Sequence, residues 1–319
     1  MRGGALRHRA RALLAGVMLC LAPVAVASEL AILTGGTSGV YYPVGQALKV
    51  LLEESIPEHR FRVISTQASV ENLNLLQRGA GVLALAQGDI LADAWAGRPE
   101  AGFAAARDKI RLLGAAYPDF IHLLARTDAG IVALEDLAGK RVSVGAARSG
   151  TEISARALLG AAGLSYADLL QVEYLHYGEG VERLVSGDLD AVIISAGLGV
   201  AAVGEAARRT AVSFVPIAPQ LMTASSRFQP IAIPPGSYPG QAEPVPTAAL
   251  NNFFVTSADV PEALVYRITR AIYDNLDRIH AAHPAARAIR LEHALATRPV
   301  EAHPGALRYF RELGLAESP

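Results

Sequence analysis

The chain alternates short apolar runs with stretches of helical periodicity. Leu30 to Thr34 is an unbroken apolar strand of the kind buried on both faces in a parallel sheet. Gly35-Gly-Thr-Ser-Gly39 follows as a small polar turn. Val44, Ala47, Leu48, Leu51 and Leu52 then repeat at i, i+3, i+4, i+7 and i+8, which predicts a helix with one buried face. The next elements continue the alternation: a strand over Arg60 to Ser65, a helix over Val70 to Arg78 closed by Gly79, and a buried strand over Gly81 to Ala86. Gln87-Gly88-Asp89 opens a further helix with Asp89 as N-cap. Ile110 to Ala116 and Ile121 to Ala125 read as two strands separated by Tyr117-Pro118-Asp119.

A second α/β unit follows. Leu134 to Gly139 is a short helix, Arg141 to Gly145 a strand, and Ala146 to Gly150 a loop before a helix from Thr151 to Leu159. Gln171 to Tyr177 and Asp188 to Ile194 are strands. Ser195-Ala-Gly197 is a turn before a helix over Leu198 to Ala207. The two units match in outline. Strand–Thr-Ser-Gly–helix at 30–52 parallels strand–Arg-Ser-Gly–helix at 141–159, and 81–88 parallels 188–197. Ligands bind beyond the carboxyl ends of such strands.

Six prolines between Phe228 and Pro246 exclude a helix there and predict an extended linker. Thr247 to Val255 is a strand. Leu264, Ile268, Ile272, Leu276 and Ile279 keep one face of a long helix apolar, with Asp259 as N-cap. The linker returns the chain to the first unit. The expected fold class is therefore α/β with two lobes: 28–122 and 247–319 in lobe 1, and 123–246 in lobe 2. Two crossings, near Leu123 and Pro246, form a hinge.

The N-terminus alters the charge and the cysteine count. Arg2, Arg7, Arg9 and Arg11 precede an apolar segment from Ala12 to Val24, and Ala25-Val26-Ala27 is a small-x-small cleavage site. This reads as an export signal cleaved after Ala27, giving a periplasmic protein. Removing those four arginines from 29 basic residues leaves 25 against 30 acidic ones, a net charge of −5. A mildly acidic chain without a basic run argues against nucleic acid as a partner. Cys20, the only cysteine, leaves with the signal, which excludes disulfides and thiolate chemistry from the mature chain.

Enzyme chemistry finds little support. Gly36-Thr-Ser-Gly39 is not a Gly-x-Ser-x-Gly elbow, and no histidine has the local context of a base for Ser38. Ser38 reads as a ligand or turn hydroxyl, with a secreted serine hydrolase as the alternative from another class. His280 and His283 read as a solvated face rather than a metal pair. No nucleotide motif occurs, and no metal or cofactor is expected. The glycine-hydroxyl turns remain as ligand-binding candidates. Tyr41 and Tyr42 supply either aromatic walls or core packing. Arg148 is the one cation in these turns, positioned either to clamp a carboxylate or to be solvated beside Glu152.

Several motifs resemble the TAXI family, the exported solute receptors of tripartite ATP-independent periplasmic (TRAP) transporters. They are Thr34-Gly-Gly-Thr-Ser-Gly-Val-Tyr-Tyr-Pro-Val-Gly45, Ser69-Val-Glu-Asn72, Ala86-Gln-Gly-Asp89, Asp136-Leu-Ala-Gly-Lys-Arg-Val-Ser-Val-Gly145, Ser149-Gly-Thr-Glu152 and Pro235-Gly-Ser-Tyr-Pro-Gly-Gln241. The resemblance implies a type II periplasmic binding protein, non-enzymatic and monomeric. It would close on a glutamate-like amino acid or a 2-oxodicarboxylate and serve a fused permease driven by an ion gradient. An ABC-transporter receptor is the alternative within the same fold. Thr37, Ser38, Gly39, Tyr41, Tyr42, Ser69, Asn72 and Gln87 are then expected at the ligand from lobe 1. Arg148, Ser149, Gly150, Thr151, Ser195 and Gly197 are expected from lobe 2. Where relatives commonly carry Pro-Gly-Ser-Gly, this chain has Ala147-Arg148-Ser149-Gly150, which raises the stake on Arg148.

Overall fold

The computed structural model describes residues 29–223 and 227–316, so the expected export signal lies outside the described residues. Its centre is one ten-stranded mixed sheet flanked by helices. The first unit contributes β1 (Glu29–Leu33), β2 (Arg60–Ile64) and β3 (Leu83–Gln87), with β1 parallel to both neighbours. Helices α1 (Tyr41–Ser55), α2 (Ser69–Gln77) and α3 (Gly88–Ala96) connect them or follow them. Strand β4 (Ile110–Arg126) leads into the second unit: β5 (Arg141–Ser143), α4 (Gly150–Ala161), β6 (Gln171–Glu173), α5 (Tyr177–Ser186), β7 (Ala191–Ala196), α6 (Ala201–Arg209) and β8 (Val212–Val215). A short helix α7 (Gln220–Thr223) precedes β9 (Gln229–Ile233). The long β10 (Val245–Ser257) then returns to pair with β3 and β4, and α8 (Glu262–Asp274), α9 (Leu276–His280) and α10 (Pro304–Glu312) complete the chain.

Three expectations are corrected. The two strands read on either side of Tyr117-Pro118-Asp119 are one strand, β4, of 17 residues. Pro118 is tolerated because it lies opposite Asn251, next to a register shift between Asn251 and Phe253 in the facing β10. Proline in sheets is confined to such irregular positions and edges. On the other side of β4, pairing to β7 begins only at Phe120. The proline-rich linker is not free chain either. Its first part is β9, antiparallel to the start of β10, so Pro230 and Pro246 face Ala248 and Ala232 across a hairpin. The long C-terminal helix is broken at Asn275, which separates α8 from α9, and Pro261 rather than Asp259 occupies its N-cap position.

The crossings expected near Leu123 and Pro246 fall within β4 and at the start of β10. Both strands extend through the two halves of the sheet. β4 pairs with β10 over 110–120 and with β7 and β8 beyond Phe120. The apolar core is layered on both faces. Alternation along β10 sends Phe253 to one layer with Leu33, Ile90 and Phe103, and Phe254 to the other with Leu48, Tyr273 and Phe310.

His122 is a buried polar group within this frame. It lies on β4 with no exposed surface; Nδ1 is 3.3 Å from the Ile194 carbonyl and Nε2 is 2.8 Å from the Tyr238 hydroxyl. Tyr238 also accepts a 3.0 Å hydrogen bond from Gly199 N–H. This network is complete when Nδ1 carries the proton and Tyr238 donates to Nε2. Burial pushes the imidazole pKa down to about 4, from its ordinary 6.5. An unfolded chain therefore binds a proton that the folded one refuses between these values, so stability falls as pH drops. Between pH 6.5 and 5 this amounts to about 1.5 kcal/mol, the slope rising toward about 1.4 kcal/mol per unit as the unfolded imidazole becomes fully protonated. Urea unfolding at both pH values should show this loss in the wild type and a smaller one in His122→Gln. Equal losses in the two proteins would remove His122 as the cause.

Candidate functional site

The carboxyl ends of the strands meet around a small cavity of about 50 Å³ between the two units. One water needs roughly 10–15 Å³ of such volume, so this space suits a ligand of a few heavy atoms. The N-terminal residues of α1 (Tyr41), α2 (Ser69), α4 (Gly150) and α5 (Tyr177), with Gln87 just ahead of α3, all line it. Five helices thus begin at its wall. Each N-terminus carries a partial positive charge of roughly half an electron from its unpaired N–H groups. No Lys or Arg is among the lining residues.

Side chains from both units interlock across the cleft. Gln87 Nε2 donates to Ser195 Oγ at 2.6 Å and to Asp119 Oδ2 at 3.2 Å, while the Gln87 backbone N–H donates to Ser69 Oγ at 3.2 Å. Gly178 N–H, in the first turn of α5, donates to Ser38 Oγ at 2.9 Å. Tyr177 donates to the Ser195 carbonyl at 2.6 Å, which leaves the Thr151 hydroxyl to donate to the Tyr177 oxygen. Beneath the cavity, Tyr41 donates to Asn252 Oδ1, and Asn252 Nδ2 donates to the Tyr117 carbonyl at 3.0 Å. Gly150 packs so closely that a Cβ there would lie 2.6 Å from Gln87 Cδ and overlap Gln87 Oε1. The two units are therefore in contact around the cavity: this is a closed cleft.

Three buried polar atoms of the lining have no partner among the described residues: Gln87 Oε1, the Tyr117 hydroxyl and Asp119 Oδ1. Buried polar groups are seldom left so, which makes these atoms candidates for ligand contact. Burial holds the Asp119 carboxyl well above the usual carboxylate range, against the hydrogen bond from Gln87 and the neighbouring polar groups of Asn252 and Ser195. Burial likewise keeps Tyr41, Tyr117 and Tyr177 protonated as neutral hydroxyls.

Of the residues expected from sequence, Ser38, Gly39, Tyr41, Ser69, Gln87, Ser149, Gly150, Thr151 and Ser195 line the cavity. Others stand outside it. Asn72 is fully buried under the first loop, donating to the carbonyls of Thr34 at 2.7 Å and Leu85 at 2.9 Å. Thr37 is exposed and Tyr42 half-buried, neither on the lining. Gly197 is buried against Tyr117, where a Cβ would lie 3.0 Å from the ring. Arg148 is exposed with a left-handed φ of 59°, and it lines a separate surface groove with Glu100, Glu152 and Arg156. Lining residues that sequence reasoning missed include Asp119, Tyr117, His176, Tyr177, Gln67 and Ala68. Ala68 itself has a φ of 69°, a conformation that alanine rarely adopts. His280 and His283 bond backbone groups of Ile289 and Ala285, and among the described residues no His, Cys, Asp or Glu cluster could hold a metal ion.

This architecture is the two-lobed type II fold of periplasmic solute-binding proteins. The chain belongs to the NMT1-like family, whose model matches residues 32–314. Among solved structures it is similar to the periplasmic binding protein BugD, with a TM-score of 0.55 at 13% identity over 91% of this chain and 99% of that one. It is also similar to a putative L-cystine ABC transporter from Listeria monocytogenes, with a TM-score of 0.52 at 14% identity over 84% and 98% of the two chains. A third is XAC2383 from Xanthomonas citri, solved bound to ATP, with a TM-score of 0.50 at 13% identity over 90% and 96%. At such identities the likeness concerns the fold.

Proposed function

We propose that this protein is an exported solute receptor of the TAXI type, which captures a small carboxylate between its lobes and delivers it to a TRAP permease driven by an ion gradient. The observation that carries this reading is the closed cavity itself, walled by five helix N-termini and holding three unpartnered polar atoms. Helix ends bind an anion without a fixed cation. The resemblance of the Thr34–Gly45 and Pro235–Gln241 motifs supports the TAXI assignment. In this reading the signal is removed after Ala27, lobe 1 comprises 28–122 and 247–319, and lobe 2 comprises 123–246. The receptor works as a monomer with a fused permease.

Closure supplies the binding energy's dependence on both lobes. A solute touching both faces favours the closed state by the difference in its affinity for the two states. Expelling water strengthens each remaining polar contact. The Ser38–Gly178 bond belongs to that closed state, and losing it should cost about 0.5–1.5 kcal/mol. Ser38→Ala is accordingly expected to raise Kd about two- to tenfold for whichever solute native mass spectrometry finds co-purified, measured by calorimetry. An unchanged Kd would show that the bond adds nothing to closure.

The ABC alternative shares this fold, and the Listeria neighbour is described as such a transporter. Energy coupling separates the two. Uptake in cells bearing receptor and permease should collapse when an ionophore dissipates the ion gradient and persist when ATP alone is depleted. The opposite pattern would assign an ABC partner. Ser38 accepts a bond across the cleft, a hinge-closure role that favours capture over nucleophilic chemistry.

A further inference from the structure

We infer that Asp119 is the specificity-determining residue of the cleft, an anchor for a ligand ammonium group, so that the site selects α-amino acids over 2-oxo acids of the same skeleton. The inference rests on the reading above that the cleft binds a small carboxylate. It adds which carboxylates and by what group.

The geometry separates two kinds of environment within one small cavity. Five helix N-termini surround the space and favour negative charge. Asp119, on β4, is the only lining residue with a carboxyl group and is 3% exposed. One of its oxygens, Oδ2, accepts from Gln87 at 3.2 Å, while Oδ1 is buried without a partner. The ionised Asp119 repels a ligand that carries only acceptor groups, and such a ligand could engage it only as the neutral acid, through its single O–H. A zwitterion satisfies both environments: its carboxylate faces the helix ends and its ammonium donates to Oδ1.

Among the described residues, the surroundings of Asp119 offer no competing cation. Tyr41 from α1, Tyr117 from β4 and Tyr177 from α5 are hydroxyl donors, and Gln87, Ser195 and Asn252 are neutral. His176 is the other titratable lining group outside the tyrosines. Asp89, behind the wall on α3, adds a like charge, and its own carboxylate is occupied by Arg227 at 2.7 Å. Burial thus favours the protonated acid in the closed cleft until a cation docks there. Docking an ammonium converts Asp119–COOH into a carboxylate paired with the ligand's cation and releases that proton to solvent. No bond other than O–H breaks, and charge balances.

The test uses the full mature chain and matched ligand pairs: L-alanine with pyruvate, and L-glutamate with 2-oxoglutarate. Calorimetry in two buffers of different ionisation enthalpy gives both Kd and the proton count. The expected result is at least one amino acid bound tenfold or more tighter than its oxo partner, with net proton release. Its affinity should weaken as pH falls, approaching tenfold per unit once the empty-site acid is fully protonated. Asp119→Asn should abolish the preference and the proton release, with its unfolding midpoint confirming that it folds. The wild-type proton count stands independently of that variant. An oxo acid bound as tightly as its partner, or net proton uptake, would overturn the inference and leave the carboxylate reading intact. Binding of neither member of either pair would overturn both.

Discussion

Gly150→Val is expected to raise the ligand Kd a hundredfold or more, about 2.7 kcal/mol or above, while leaving the fold intact. Gly150 is the first residue of α4 and faces Gln87 of the opposing unit across the cavity. Its φ is unremarkable, so the glycine is needed for close approach rather than for backbone conformation. A Cβ would overlap Gln87 Oε1 and crowd Ser69 Oγ at 3.0 Å. Gln87 cannot simply swing aside. Its Nε2 is held by Ser195 and Asp119, and its backbone by Ser69, so moving it dismantles the inner wall of the site. Either outcome penalises the closed state alone: the lobes stay apart, or they close on a damaged cavity. Small-angle scattering with saturating solute should show the variant retaining open dimensions, and calorimetry the lost affinity. Thermal unfolding without ligand should change little, because the collision exists only when the lobes meet. A variant that closes and binds like wild type would show that the tight Gly150–Gln87 packing is not required for capture.

How much of this site was visible in the chain depends on which physical signal each residue carries. β1, the glycine turn and α1 were legible because an apolar run and a 3.6-residue repeat are strong, local patterns. Gly39, Ser69, Gln87 and Ser149–Thr151 followed, since turns at strand ends sit where sheets bind ligands. Asp119 was not legible for the opposite reason. Tyr117-Pro118-Asp119 carries the composition of a turn, yet the register shift in β10 absorbs Pro118 and keeps the strand continuous. An acid between two apolar β runs was the available signal, and the neighbouring proline masked it. The sequence pattern puts Tyr177 at the end of a strand, whereas β6 stops at Glu173 and α5 starts at Tyr177, presenting its hydroxyl to Ser195. Arg148 illustrates a limit of residue type as evidence. Its charge fits a carboxylate clamp or a solvated group beside Glu152, and it lies in the separate groove with Glu152, on a left-handed backbone that no composition rule foresees. Asn72 shows the converse, a polar residue in a site motif whose side chain bonds Thr34, Thr66 and Leu85 of β3 rather than facing the cavity.

The shared strands also set how the molecule unfolds. Phe254 lies on β10 with no exposed surface, in the layer that holds Tyr273 and Phe310. Truncating such a ring removes its burial and leaves a void, a loss of about 3–5 kcal/mol. Phe254→Ala is therefore expected to lower unfolding free energy by that amount, a large share of the roughly 5–15 kcal/mol typical of a folded domain. The defect is placed in the first unit, so in a molecule of two loosely joined lobes it would melt that lobe alone. Here β10 hydrogen-bonds to β3, β4 and β9, and β4 continues into the ladder with β7 and β8. Melting the first unit strips one edge from both long strands and exposes the backbone on which the second unit is built. A single cooperative transition should survive the substitution. Trp95, the only tryptophan, lies on α3 in the first unit with Arg111 over its ring at 5.4 Å, so its fluorescence reports that unit locally. Far-UV circular dichroism reports the whole chain. Coincident denaturation curves from the two probes in Phe254→Ala would establish coupling through the strands. A fluorescence transition at lower denaturant than the dichroism transition would show instead that the lobes unfold separately and that the crossings act only as a tether.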